Sequence, residues 1–286
     1  MLPRPGSKTR SQLWRVSAGR WSQRADLLAT EEPMEIRLLA GGERKTLSVT
    51  MRTPGSDFEL AAGLLYTEGI IPDRHAIARI SYCREPDLTE ASRYNIVHVE
   101  LVSNKLPELQ TLERSTFTSS ACGVCGKAGL ESLERRDLRP LPPGPEIAQE
   151  VILALVGKLR AQQGVFEATG GLHAAALFDL SGELIALRED VGRHNAVDKL
   201  IGWALLRGLL PWTQRIVLVS GRAGFEIIQK LVVASAPLVC AISAPSNLAV
   251  DLARAFNVTL VGFLRGERFN VYHGRERIRA SESARQ

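Results

Sequence analysis

Residues 119–127 read Ser-Ser-Ala-Cys-Gly-Val-Cys-Gly-Lys, and Cys122 and Cys125 are the side chains best suited to covalent chemistry. A structural zinc site takes four ligands, usually two such pairs, and no second pair accompanies this one. The other cysteines, Cys83 and Cys240, are single and distant in sequence. A lone Cys-x-x-Cys between Gly123 and Gly126 therefore points to thiol chemistry before a metal knuckle. Ser119 and Ser120 are positioned to cap a short helix. Backbone N–H groups at such a start, with Lys127 beside them, favour thiolate over thiol.

Further sets of polar residues fall where strands give way to helices. Ser220-Gly-Arg222-Ala-Gly224-Phe225 follows one strand pattern and opens a helix. Its free N–H groups and Arg222 suit an anion, although it is neither Gly-x-Gly-x-x-Gly nor a P-loop, and a plain turn reads equally well. Ser243-Ala-Pro245-Ser246-Asn247 ends the next strand, as a cleft wall or as ordinary N-capping. In Arg188-Glu-Asp190-Val-Gly192-Arg193-His194-Asn195, Asp190 and Asn195 suit caps and turns, whereas Arg193 and His194 favour no tight turn. His194 is a candidate proton carrier or a hydrogen-bonded structural residue. His173, after Gly170-Gly171, faces a cleft or the core. Arg265 and Arg268 flank a Gly turn after an apolar strand, where guanidinium groups suit pyrophosphate or a purine edge. Lys230 is a further cationic candidate.

A different chemistry pairs His98-Val-Glu100 with the cysteines as a zinc nucleobase deaminase, with His98, Cys122 and Cys125 as ligands and Glu100 as proton shuttle. Ala121 stands where that motif has Pro, and His98 and Glu100 fall on the polar side of a strand alternation. A thioredoxin-type pair would want a strand just before it and Pro inside it.

These residues need a scaffold. The 286 residues, 45% hydrophobic and 23% charged, suit one large or two medium globular domains. No apolar run approaches the ~20 residues of a membrane span. Four cysteines without disulfide-like spacing place the chain in the cytoplasm. The net charge of +5 owes much to six Arg or Lys in the first 24 residues, so the body is near neutral and no nucleic-acid surface is demanded. Residues 1–25 read as a disordered basic tail. Residues 26–115 form a β-rich unit: a hairpin of 32–39 and 44–52 around Gly41-Gly42, a helix at 57–66 capped by Asp57 and stopped at Gly69, then strands at 79–84 and 94–102. Residues 116–145 make a mobile Cys-x-x-Cys loop and a linker, PLPPGP at 140–145. From 146 to 275 the pattern is α/β: a helix at 146–163, a hairpin of 172–179 and 184–189, a helix at 195–207, then alternating strands and helices to 264. Residues 276–286 are a polar tail.

Taken together the segments EEPMEIRL at 31–38, VTMRTPGSDFELAAGLLYTEGII at 49–71, ACGVCGKAG at 121–129, TGGLHAAALF at 169–178, REDVGRHNAVDKLIG at 188–202, the run at 220–253 and GFLRGERFNVY at 262–272 resemble the formate dehydrogenase accessory sulfurtransferases, the FdhD family. The resemblance spans residues 31–272 and leaves out the basic first 24 residues. It implies an α/β (α+β) fold, a cytidine-deaminase-like three-layer domain plus a smaller β-rich N-terminal domain. It also implies a sulfurtransferase that takes sulfur from a cysteine desulfurase and passes it to a bis-molybdopterin guanine dinucleotide cofactor for formate dehydrogenase. On the resemblance, Cys122 carries the persulfide; Cys125 supports transfer, protects the persulfide by forming a disulfide, or only shapes the loop. The cofactor lies at residues 263–268 (Phe263, Leu264, Arg265, Gly266, Glu267 and Arg268). Arg222 and Arg193 are added from the residues themselves. A homodimer is expected, with no permanent metal, nucleic acid or membrane. A non-catalytic holder of the molybdenum cofactor is the remaining alternative.

Overall fold

The structure, a computed structural model, describes residues 6–86, 88–107 and 138–280. Cys122 and Cys125 lie outside the described residues.

The chain opens with an antiparallel pair, β1 (Lys8–Ser17) and β2 (Arg20–Ala29). The disordered tail expected from charge is therefore replaced by a hairpin from Lys8 onward. Its apolar positions explain the difference: Trp14, Val16 and Trp21 are strand formers flanking a turn at Ala18 and Gly19, both at positive φ.

Next come β3 (Glu32–Ala40) and β4 (Glu43–Arg52), joined at Gly41-Gly42 as expected. There the φ values of 57° and 84° are those of a turn that only glycine adopts freely. α1 (Asp57–Thr67), β5 (Ile77–Tyr82), α2 (Glu90–Tyr94) and β6 (Ile96–Leu101) complete a four-stranded sheet in the order β4-β3-β6-β5. Met34, Ile36, Leu38, Val97 and Val99 alternate onto its inner face, where Leu60 and Leu65 of α1 cover them. Burying each such leucine is worth about 1.5–3 kcal/mol. Gly69 (φ 76°) ends α1 as expected. Asp57 does not cap the helix: Ser56 holds the cap position, and the Asp57 carboxylate accepts hydrogen bonds from Arg52 Nε (3.1 Å), Gly55 N (3.1 Å) and Tyr82 Oη (2.9 Å).

The second half contains β7 (Ile147–Ala148), α3 (Gln149–Gln162), α4 (Gly164–Thr169), β8 (His173–Phe178), β9 (Leu184–Asp190), α5 (Arg193–Leu206), β10 (Ile216–Val219), α6 (Phe225–Val233), β11 (Leu238–Ala241), α7 (Asn247–Ala255), β12 (Thr259–Arg265), β13 (Arg268–His273) and β14 (Ile278–Arg279). Six strands form one sheet in the order β13-β12-β11-β10-β8-β9, with β10, β11 and β12 parallel. Alternate residues feed two cores. Ala175, Leu177, Val217, Val219, Val239 and Ala241 face α5, α6 and α7, while Ala176, Phe178, Ile216, Leu218, Leu238 and Cys240 face α3. Helix, sheet and helices make the three layers expected.

The two halves are welded where α1 crosses α5. A Cβ on Gly63 would lie 1.8 Å from the Asp198 carbonyl oxygen, and one on Gly202 would lie 1.8 Å from that of Glu59. The end of the expected linker is docked rather than free: Leu141 N donates to Phe256 O (3.0 Å), and Asn257 Nδ2 donates to Leu141 O (2.9 Å). The expected polar tail begins as structure, because β14 pairs with β7 and Ile278 is buried in the core.

Candidate functional site

Parallel strands β10 and β11 end in polar turns that are zipped together. Ala223 N donates to Ala244 O (3.2 Å) and Ser246 N donates to Ala223 O (3.0 Å). Ser246 caps α7, its hydroxyl accepting from Ala249 N at 3.2 Å, which is the ordinary reading of that turn. The starts of α5 and α6 differ. Their cap residues, Gly192 and Gly224, supply no side-chain cap, so both helix N-termini keep backbone N–H groups for another acceptor.

Cationic and imidazole side chains gather beside these two starts. A Cβ on Gly221 would meet His173 Nδ1 at 3.2 Å and Arg193 Cβ at 3.6 Å, so Gly221 makes the room that lets both lie across the turn. Arg193 makes no side-chain hydrogen bond or ion pair among the described residues, and its Nε is buried without a partner. His194 Nε2 is likewise buried and unpartnered, with Glu226 Oε2 at 3.9 Å. Burial above all, then Arg193 and Lys230, pushes His194 down to about 4, against the pull of Glu226. It is neutral at physiological pH and offers hydrogen bonds, not charge. His173 is also held below the usual range, by burial and then by Arg193. Arg222 is exposed on its turn and has no side-chain partner among the described residues.

The segment bearing Arg193 and His194 is clamped from the N-terminal half. Buried Asp190 forms an ion pair with Lys199 (2.6 Å) and accepts from Thr53 N (3.1 Å), Gly192 N (2.8 Å) and Asn195 Nδ2 (3.1 Å). Lys199 Nζ also donates to Thr53 O (2.8 Å), and Asn195 Nδ2 to Met51 O (2.8 Å). Asp190 and Asn195 thus serve as the turn residues expected. The clamp through Lys199 and Thr53 left no trace in the sequence, because its members are separated by helix and strand. Lys230, a sequence candidate for the ligand, is excluded. It lies buried against Asp198 (3.0 Å), Thr67 (2.9 Å) and Glu68 (3.1 Å), and although burial opposes the charge, Asp198 and Glu68 hold it above the usual lysine range.

Residues 263–268 occupy the end of β12 and its turn into β13, on the same edge of the sheet. Phe263 N donates to Ser243 O (3.1 Å). Phe263 adopts a left-handed φ of 53°, sits at a register shift, and turns a 37% exposed ring outward with Arg265 5.9 Å above it. A non-glycine residue held there signals a locally constrained backbone. Gly266, Glu267, Arg265 and Arg268 are exposed. Leu264 differs from expectation, since its side chain is fully buried in the core facing α3 and only its backbone can meet a ligand. β12 and β10 are separated by one strand, so the ends of these two strands lie about 10 Å apart on this edge. Glu226 and Gly221 were not foreseen; an acid in a first helical turn and a single glycine are too common to stand out.

Of the deaminase grouping, only His98 and Glu100 fall among the described residues. His98 and Glu100 lie on β6 of the four-stranded sheet, with Glu100 exposed, and the two cysteines lie outside the described residues.

The FdhD/NarQ family matches residues 29–279. The chain belongs to this family. It is 48% identical to the sulfur carrier protein FdhD of Streptomyces avermitilis over 280 residues, covering 97% of this chain and 98% of that protein. It is 46% identical to the sulfur carrier protein FdhD of Mycobacterium tuberculosis (92% and 95% covered) and 43% identical to that of Sulfolobus acidocaldarius (92% and 96%). The Streptomyces match covers more than residues 29–286 can supply, so it reaches into the β1–β2 hairpin. A crystal structure described as a formate dehydrogenase accessory protein from Desulfotalea psychrophila superposes with a TM-score of 0.72, covering 95% of this chain and 99% of that one. At 24% identity it supports the fold. No helix among the described residues is long and apolar enough to cross a membrane.

Proposed function

We propose that this FdhD/NarQ family member is a sulfur carrier in formate dehydrogenase maturation, with Cys122 as the carrying thiol and the sheet edge bearing Arg193, Arg222 and Phe263 as the seat of the molybdenum cofactor that receives the sulfur. Relatives named sulfur carrier protein at 43–48% identity support the carrier role. In the loading step the Cys122 thiolate attacks the outer sulfur of a cysteine desulfurase persulfide. One S–S bond forms, one breaks, and the desulfurase leaves as thiolate, with no net oxidation. In the transfer step the Cys125 thiolate attacks the inner sulfur of the Cys122 persulfide. A Cys122–Cys125 S–S bond forms, the bond to the outer sulfur breaks, and the two thiols supply the two electrons. That sulfur leaves at the sulfide level for the cofactor, bis-molybdopterin guanine dinucleotide, which is substrate here.

The carrying observation is the cluster of cationic and imidazole groups without partners. Arg193 and Arg222 lack counter-charges beside the two uncapped helix starts, and Arg193 Nε and His194 Nε2 are buried without acceptors or donors. Buried polar atoms normally find partners, and a diphosphate would supply them. The exposed ring of Phe263, with Arg265 and Arg268 nearby, suits a guanine further along the sheet edge.

The test is labelled-sulfur transfer from desulfurase to this protein and on to the cofactor, with mass spectrometry of the peptide around Cys122. Cys122→Ala should abolish loading, while Cys125→Ala should leave loading and weaken transfer. Full maturation of formate dehydrogenase with both cysteines replaced would leave only a cofactor holder.

A further inference from the structure

On the four-stranded sheet, far in sequence from Arg193 and Arg222, Cys83, Glu85 and His98 bring three donor atoms of metal-ligand type to within 4.8 Å of one another. The register produces this. Ser81 pairs with His98 across β5 and β6, and Cys83 N donates to Ile96 O (2.9 Å), which continues the ladder past β5. Cys83 and His98 are thereby diagonal neighbours on the face opposite the Val97–Val99 core. Glu85 folds back over them, its N–H donating to Cys83 Sγ at 3.5 Å. Cys83 is a buried free thiol, and His98 Nε2 is buried without a hydrogen-bond partner.

The geometry points to a divalent transition-metal site, of the zinc class, held by Cys83 Sγ, a Glu85 carboxylate oxygen and His98. A zinc ion with bonds of about 2.3 Å to sulfur and about 2.0 Å to nitrogen and oxygen sets its tetrahedral donors roughly 3.3–3.6 Å apart. Closing 4.8 Å to that spacing takes side-chain movements of about 1 Å and no change of backbone. A thiolate and a carboxylate neutralise the ion. The nearby cations do not forbid it. Arg37 is already held by Glu35 through two 2.8 Å contacts, and half-exposed Arg44 reaches the same Glu85 oxygen as Arg37, leaving the second oxygen free to ligate. Sulfur, nitrogen and oxygen donors together select zinc over magnesium or calcium. Three protein ligands leave a fourth position, which opens to a groove of about 330 Å³ lined by Arg79, Ser81, Tyr82 and Arg84.

The site is independent of the sulfur-carrier reading and can be tested apart from it. The protein to use is the full chain with Cys122→Ser and Cys125→Ser, so that no loop thiol contributes. Cys240 does not compete, because burial pushes its thiol up to about 12. Cobalt(II) is the spectroscopic probe and zinc the competitor. One equivalent of cobalt should bind with a thiolate charge-transfer band and tetrahedral visible bands, and zinc should displace it. Cys83→Ser should remove the charge-transfer band. His98→Ala and Glu85→Gln should each weaken binding by about tenfold or more; Glu85 is a surface residue, so its variant folds. A double-serine background that takes up no stoichiometric metal, or cobalt spectra and affinity unchanged by Cys83→Ser and His98→Ala, would overturn the assignment.

Discussion

Lowering the pH places a proton on His194 at a cost set by its surroundings. Its ring is largely buried at the start of α5, with Arg193 on its own helix, Lys230 and Glu226 on α6, and His173 on β8 around it. Burial is the largest influence, and the result moves the group from an ordinary 6.5 to about 4. The unfolded chain therefore takes up this proton first. Between pH 6.5 and 4 it binds more protons than the folded protein, so stability falls as the pH falls through that window and levels off below it. At about 1.4 kcal/mol per pH unit, the full loss is about 3 kcal/mol. Urea unfolding at a series of pH values measures it, with the slope m monitored for constancy. His194→Gln keeps a polar side chain of similar size and removes the titration. The wild type should lose about 3 kcal/mol more than this variant between pH 6.5 and 4. The other ionisable groups are common to both proteins and cancel in the comparison. Parallel curves for the two proteins would refute the reasoning.

Other outcomes follow from the same contacts. GDP, a stand-in for one arm of the cofactor, should bind more tightly as the pH falls from 7 towards 5, because an anion beside His194 favours its protonated form; calorimetry that finds no pH dependence would remove the anion from this position. Arg222→Ala should leave stability within about 0.5 kcal/mol, since the side chain is exposed and unpartnered, yet weaken GDP by about tenfold or more. Gly63→Ala or Gly202→Ala should cost about 3 kcal/mol or more in denaturant unfolding, because the added methyl would meet a carbonyl oxygen at 1.8 Å and the helices must part. Lys199→Met alone should cost about 3–5 kcal/mol by stranding buried Asp190, and adding Asp190→Leu should restore part of that, as a double-mutant cycle would reveal.

The α/β half was legible because its strands are short apolar runs bounded by polar turns and its helices carry long-period stripes. Strand 216–219 and helix 225–233 flank the polar run at 220–224 that the sequence sets between a strand and a helix. The hairpin at 32–52 was legible from alternation and two glycines. The β1–β2 hairpin was not, since six basic residues outweighed Trp14, Val16 and Trp21 when the segment was read by charge. Arg193 and His194 stood out because neither suits a tight turn, and both do lie beside the two open helix starts. Leu264 and Lys230 were misplaced for a common reason: a linear stretch does not tell which alternate residues a sheet or helix turns inward. Phe263 shows the converse, where one left-handed residue reverses the alternation and turns a ring outward that regular pairing would have buried.

The Arg193–His194 turn owes its position to a segment distant in sequence. Met51 and Thr53, at and beyond the end of β4, grip Asp190, Asn195 and Lys199 around the start of α5, and Glu59 of α1 holds Arg188 through two hydrogen bonds. Gly63 and Gly202 then let the helices carrying these groups approach to backbone contact. Arg193 and His194 can be left without partners only because the turn that bears them is fixed by others. A flexible turn would fold the guanidinium onto Glu226 and quench it. Two stretches that read as separate motifs, 49–71 and 188–202, are therefore one device. The first fixes the backbone, the second presents the unpaired groups, and a substitution at Thr53 should perturb an anion bound at Arg193 without either residue touching the other's ligand.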